Sequence, residues 1–180
     1  MPRRVLITAH HGLLDQALDL VEGMDAETFR AGAPEAGLVG TGPHLRHVLD
    51  MYGCFLRGLP MARVDYEDRI RDVRLESEPA AATAALRLVA AQLAALERAT
   101  LPARLQVHGD TPVGMERDRA WSDSTPEREL QFLLNHTLHH FALIAAALRL
   151  RGHAVPAQFG VAPSTLRWQA AEEARNACAP

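Results

Sequence analysis

The chain has 180 residues, 48% hydrophobic and 23% charged, and its 19 Lys and Arg against 22 Asp and Glu give a net charge of −3. That length supports one domain with its own core, residues 1–180, and cations spread along an acidic chain exclude a nucleic-acid surface, which needs a basic stripe. There is no signal-like apolar segment and no apolar run of spanning length, and Cys54 and Cys178 form no Cys-x-x-Cys unit, so a cytoplasmic protein with free thiols and no membrane partner is expected.

The first helix is read from Leu6 to Glu22, apolar at Leu6, Leu13, Leu14, Ala17, Leu18 and Val21, and it stops at Gly23. His10 and His11, near its start, read as capping or solvent-facing. A loop rich in Gly, Ala and Pro follows from Met24 to Gly40. Thr41 is expected to cap a second helix, with Pro43 in its first turn and Pro60 stopping it after Leu59. On a wheel, His44 shares a side with Val48, Met51, Tyr52, Phe55 and Leu59, with Arg46, Asp50 and Arg57 opposite and His47 at the edge of the stripe.

The charged stretch from Val64 to Asp72 reads as a loop with a short helical turn. Glu78 and Pro79 open a third helix, alanine-rich from Ala80 to Ala99 and patterned by Leu86, Val89, Leu93 and Leu96. Residues 104–108 and 113–117 flank Gly109-Asp-Thr-Pro and read as a small β-hairpin. Ser124 is expected to cap a fourth helix, with Pro126, Glu127 and Glu129 in its first turn and Gly152 ending it. A short C-terminal helix runs from about Ser164 to Arg175. The fold class expected is all-α: an up-and-down four-helix bundle with one small hairpin.

The fourth helix carries the chemistry. His136 and His140 stand four residues apart on its apolar stripe with Leu133, Leu143 and Ala147, which places both imidazoles on one face one turn apart. A single histidine in such a stripe is ordinarily a hydrogen-bonded core residue. Two of them facing a second inward pair, His44 and His47, need a shared explanation, because each unsatisfied buried group costs about 1–3 kcal/mol. A cation supplies it: imidazole suits Zn, Ni or Fe, and three histidines leave a coordination position open. Periodicity does not choose between His44 and His47 as third ligand. His139 lies about 60° off His136 and reads as a rim or supporting residue, and Cys54 as a buried small residue rather than a fourth ligand. No Ser-His-Asp order, phosphate-cradling glycine loop or Glu-x-x-His pair is present.

The elements His44-Leu-Arg-His47-Val-Leu-Asp50 and Asn135-His136-Thr-Leu-His139-His140 resemble the DinB-like proteins, metal-binding four-helix bundles that include thiol-dependent transferases and isomerases. The resemblance implies His47, His136 and His140 as ligands of a divalent transition metal. It differs after His140, where Phe141-Ala-Leu stands in place of the Arg-Gly-Gln of many relatives. Two functions of different class follow as expectations. One is a metal-dependent enzyme, a thiol transferase or hydrolase, that activates a low-molecular-weight thiol or water against a small-molecule substrate. There His44 or Asp50 would orient a ligand histidine, and Asp65, Tyr66, Glu67, Arg69 and Arg71 would line the mouth. The other is a non-catalytic metal-binding or stress-associated bundle with structural histidines.

A homodimer is also expected. Leu134, Leu138, Phe141, Ala145 and Leu148 give the fourth helix a second apolar face, to be covered either by the tail from Val155 to Trp168 or by a second copy.

Overall fold

A computed structural model describes residues 3–109 and 120–177. Seven α-helices lie among them: α1 (Arg3–Glu22), α2 (Ala26–Arg30), α3 (Thr41–Gly58), α4 (Arg74–Ser77), α5 (Pro79–Leu96), α6 (Pro126–Leu150) and α7 (Pro163–Ala177). Three short strands accompany them, β1 (Arg63–Asp65), β2 (Leu105–His108) and β3 (Ser122–Ser124). The four long helices expected from periodicity are α1, α3, α5 and α6. They form the bundle, with α1 and α3 each packed against both α5 and α6. α1 and α3 therefore face each other across the diagonal, and Leu6, Leu14, Tyr52, Phe55, Leu86, Leu93 and Leu130 fill the space between, all fully buried.

The ends of these helices differ from the expected ones in instructive ways. Thr41 is already helical, and the N-cap is Gly40 in an extended conformation. Gly42 follows because α3 starts against α4: a Cβ there would lie 2.1 Å from the Glu76 carbonyl oxygen. On α6 the cap is Thr125 rather than Ser124. Its hydroxyl oxygen accepts from the Arg128 amide at 3.2 Å, whereas Ser124 ends β3 and donates to the Glu129 carboxylate at 2.5 Å. The loop before α3 contains the short α2, capped by Asp25 accepting from the Thr28 amide.

The small sheet is partly non-local. β2 pairs antiparallel with β3, Leu105 opposite Ser124, and parallel with β1, Val64 beside Val107. β1 belongs to a stretch expected to be loop, and the expected hairpin partner at 113–117 lies outside the described residues. A parallel pair separated by about forty residues leaves no local signature, because its two strands are joined by a crossover, here α4 and α5.

The second apolar face of α6 is covered by the chain itself. Leu138, Phe141, Ala145 and Leu148 are all buried. Phe159 stacks on Phe141 with ring centroids 4.7 Å apart. Gly160 then sits directly on the α6 backbone, at φ +71°, where a Cβ would come within 2.6 Å of Phe141 and Ala142. The tail named as the alternative cover thus lies on this face, and Leu134, its remaining residue, is half-buried. α7 beyond it is largely exposed. Among the described helices, α5 alone has the length and hydropathy of a membrane span, and it packs against α1, α3 and α4.

Candidate metal centre

α3 and α6 lie side by side, and their facing stripes bring four histidines together. Ligand-capable nitrogens of His47, His136 and His140 all lie within 4.8 Å of one another. His47 and His136 approach most closely, with their Nε2 atoms 2.9 Å apart. Nitrogens each at ~2.1 Å from one tetrahedral centre are about 3.4 Å apart, so the three rings stand at roughly the separation a shared cation requires. The convergence expected from the i, i+4 pair and one inward histidine is present.

Protonation favours the same reading. Burial holds His47 down to about 4, helped by neighbouring His136 and the Arg69 charge, and holds His140 down to about 3, helped by His136 and His47. Both rings are therefore neutral near pH 7 and each carries a lone pair, the form a metal takes.

His44 does not join the three. It stands behind His140, the two Nδ1 atoms 3.0 Å apart. With His140 Nδ1 so engaged, its Nε2 is the nitrogen left for the shared group. A neutral imidazole that offers Nε2 to a metal carries its hydrogen on Nδ1, and His44 accepts that hydrogen through its own Nδ1. His44 must then carry its hydrogen on Nε2, and that atom is buried with no partner among the described residues. His44 is thus a support for His140, the role it was offered as an alternative to ligation. His139 is exposed beside His140, with centroids 5.1 Å apart, at the rim. Cys54 is buried away from the group, its thiol donating to the Asp68 carbonyl at 3.2 Å.

Asp50 does something other than orient a histidine. Its carboxylate takes the Arg46 guanidinium at 2.9 Å and the Arg71 backbone amide at 3.1 Å, so it anchors the segment after β1. That segment held the other candidates for lining the mouth. Tyr66 is buried and donates its hydroxyl to Glu129 at 2.8 Å. Glu67 meets His108 Nε2 at 3.2 Å, and Asp65, Glu67 and His108 form a second ligand-capable group within 4.8 Å. Arg57 and Cys54 both donate to the Asp68 carbonyl. Arg71 has φ +56° and an exposed side chain. Arg69 reaches a ligand histidine, its Nη1 lying 3.4 Å from His47 Nδ1. A cavity of about 410 Å³, lined by Arg128, Gln131, Phe132, Asn135, His136 and His139, opens beside His136.

Two constellations were not anticipated. Glu129 is fully buried, holding Tyr66, Ser124 and Arg128 together. His10, expected at the surface, is fully buried between Tyr52 Oη (2.7 Å) and the Leu130 carbonyl (3.0 Å). Its position was available in the periodicity, since it lies four residues from both Leu6 and Leu14 on the stripe of α1. Glu129 likewise lies four residues before Leu133.

The family model described as the DinB family matches residues 12–173. No match was found among curated proteins or among solved structures. The chain belongs to the DinB family, and its three-histidine group fits a metal-binding member of it.

Proposed function

We propose that this DinB-family protein is a metal-dependent enzyme in which His47, His136 and His140 hold a divalent transition metal, Zn, Ni or Fe, for a thiol-transfer or hydrolytic reaction on a small molecule. The observation that carries the reading is three imidazoles from two helices, with His47 and His140 held neutral by burial and no carboxylate or thiol in the group among the described residues, which leaves a coordination position for a reactant. When bound, such an ion supplies Lewis acidity that lowers the pKa of a thiol or water enough to make it a nucleophile near neutral pH.

The chain's own residues do the rest. His44 holds His140 in the tautomer that presents Nε2. The cavity beside His136 gives the reactant a floor in Phe132 and hydrogen-bonding groups in Gln131 and Asn135. Rigid helices fix the histidines, while the residues along the mouth come from a loop and the outer face of α6, a division suited to a constant chemistry with a variable substrate.

The test is elemental analysis of protein purified without a histidine tag, followed by a screen of low-molecular-weight thiols against electrophiles. One equivalent of metal and turnover that His136→Ala abolishes are expected. Metal without turnover in any pairing would favour the alternative of a non-catalytic metal-binding bundle. No metal uptake at all would end both.

A further inference from the structure

Arg69 touches His47 in a way that a metal-holding His47 does not permit. A guanidinium only donates hydrogen bonds. Its contact with Nδ1 at 3.4 Å therefore requires a lone pair on Nδ1 and the hydrogen on Nε2. The other side of the ring agrees: with the hydrogen on Nε2, His47 donates to His136 Nε2 across 2.9 Å. A His47 that offers Nε2 to a metal has the opposite tautomer, and its Nδ1–H then faces an N–H of Arg69. Two donors repel. Arg69 and a metal on His47 Nε2 are alternatives, and in the loaded site the guanidinium leaves the ring.

Where it goes follows from charge. Arg46 is held by Asp50 and Glu76, and Arg57 by the Asp68 carbonyl. Among the described residues Arg69 has no carboxylate partner and its buried Nε has no hydrogen-bond partner. Three imidazole ligands leave a divalent ion with its full charge, while Asp50, a carboxylate close to His47, is already paired with Arg46, and Arg69 adds another positive charge alongside. A half-buried site of that sign is complementary to an anion, and a guanidinium presents paired N–H groups matched to an oxyanion.

We propose, building on the metal reading above, that Arg69 is the specificity residue of this centre and that the ligand taken at the open position carries an oxyanion, a carboxylate or phosphate group, which the guanidinium released from His47 binds. The same side chain thus opposes the metal in the empty site and supports the reactant in the loaded one. Removing it has effects of opposite sign on the two affinities, which a merely structural role would not produce.

The experiment compares wild-type protein with Arg69→Met and Arg69→Lys. Zinc affinity is measured by competition with a chelating dye. Acetate and phosphate are titrated in separate arms into cobalt-loaded protein, followed by the visible spectrum of the ion. Arg69→Met is expected to bind zinc up to about tenfold more tightly and to lose about tenfold or more in affinity for at least one of the two anions. Arg69→Lys, which keeps the charge without the fork, is expected to fall between. Acetate alone responding assigns a carboxylate, and phosphate alone a phosphoryl group. Normal metal uptake with anion affinities unchanged in Arg69→Met overturns the inference and leaves the metal reading intact, as does a parallel weakening of metal and anion. Failure of the wild-type protein to take up zinc or cobalt overturns both.

Discussion

Two histidine clusters span the same bundle, and they are finished to different degrees. In the first, His10 of α1 reaches across the diagonal to α3 and α6. Its Nε2–H has only the Leu130 carbonyl to donate to, which leaves Nδ1 to accept from the Tyr52 hydroxyl. Both nitrogens are satisfied by groups whose direction is fixed, so nothing more is needed. In the second, imidazoles face imidazoles: His47 meets His136, His140 meets His44, and His44 Nε2 has no partner among the described residues. Each such pair can be completed by a hydrogen or by a cation. Burial alone does not separate a structural histidine from a ligand; the partner on the second nitrogen does.

The strongest way to break this contrast is to remove one histidine from each cluster. His136→Ala or His140→Ala is expected to cost roughly a thousandfold in metal affinity, a share of about 4 kcal/mol per ligand, by zinc competition. His139→Ala and His153→Ala should leave it nearly unchanged. His10→Ala is expected to do the reverse, leaving metal stoichiometry intact and costing about 3 kcal/mol of stability in urea unfolding, from a cavity and two stranded polar partners.

Acid sharpens the comparison on the structural side. Burial holds His10 at about 4 in the folded protein against its ordinary 6.5. Above 6.5 both folded and unfolded chains are neutral at this residue. Between 6.5 and about 4 the unfolded chain takes up a proton that the folded one refuses, so stability falls with falling pH, by up to about 1.4 kcal/mol per unit from this group. Unfolding of metal-free protein across that window should show the slope, and His10→Gln should lack this component of it.

The smallest effect concerns His44. His44→Phe keeps the ring volume but strands the His140 N–H, and is expected to weaken metal binding by about 10- to 100-fold. His44→Asn, whose amide oxygen can accept that hydrogen, should recover part of the loss. Equal affinities for the two variants would show that His44 acts only by filling space.

How much of this was legible in the sequence follows the range of the interactions. The bundle helices and the converging triad rest on spacings of three and four residues, which periodicity reports directly. His10 and Glu129 were legible in the same stripes but were discounted, because polar residues near helix starts are ordinarily caps or solvated; here the diagonal packing of α1 on α3 and the Tyr66 hydroxyl make those positions internal. The β1–β2 pairing depends on where the chain lands after about forty residues, and the approach of Arg69 to His47 after some twenty, and no local pattern encodes either.

The loop carrying Arg69 has one further consequence, and it concerns speed. Its backbone is pinned on both flanks: the Tyr66 amide to the His108 carbonyl, the Asp68 carbonyl to Arg57, and the Arg71 amide to Asp50. Arg69 sits between these moorings with little main-chain freedom, so its departure from His47 is a rotation about side-chain bonds. Side-chain rotations are faster than the opening of a loop. On the proposal made for Arg69, cation entry would be paced by the ion shedding its water and not by the protein making way, and its rate should follow the exchange lability of the ion offered.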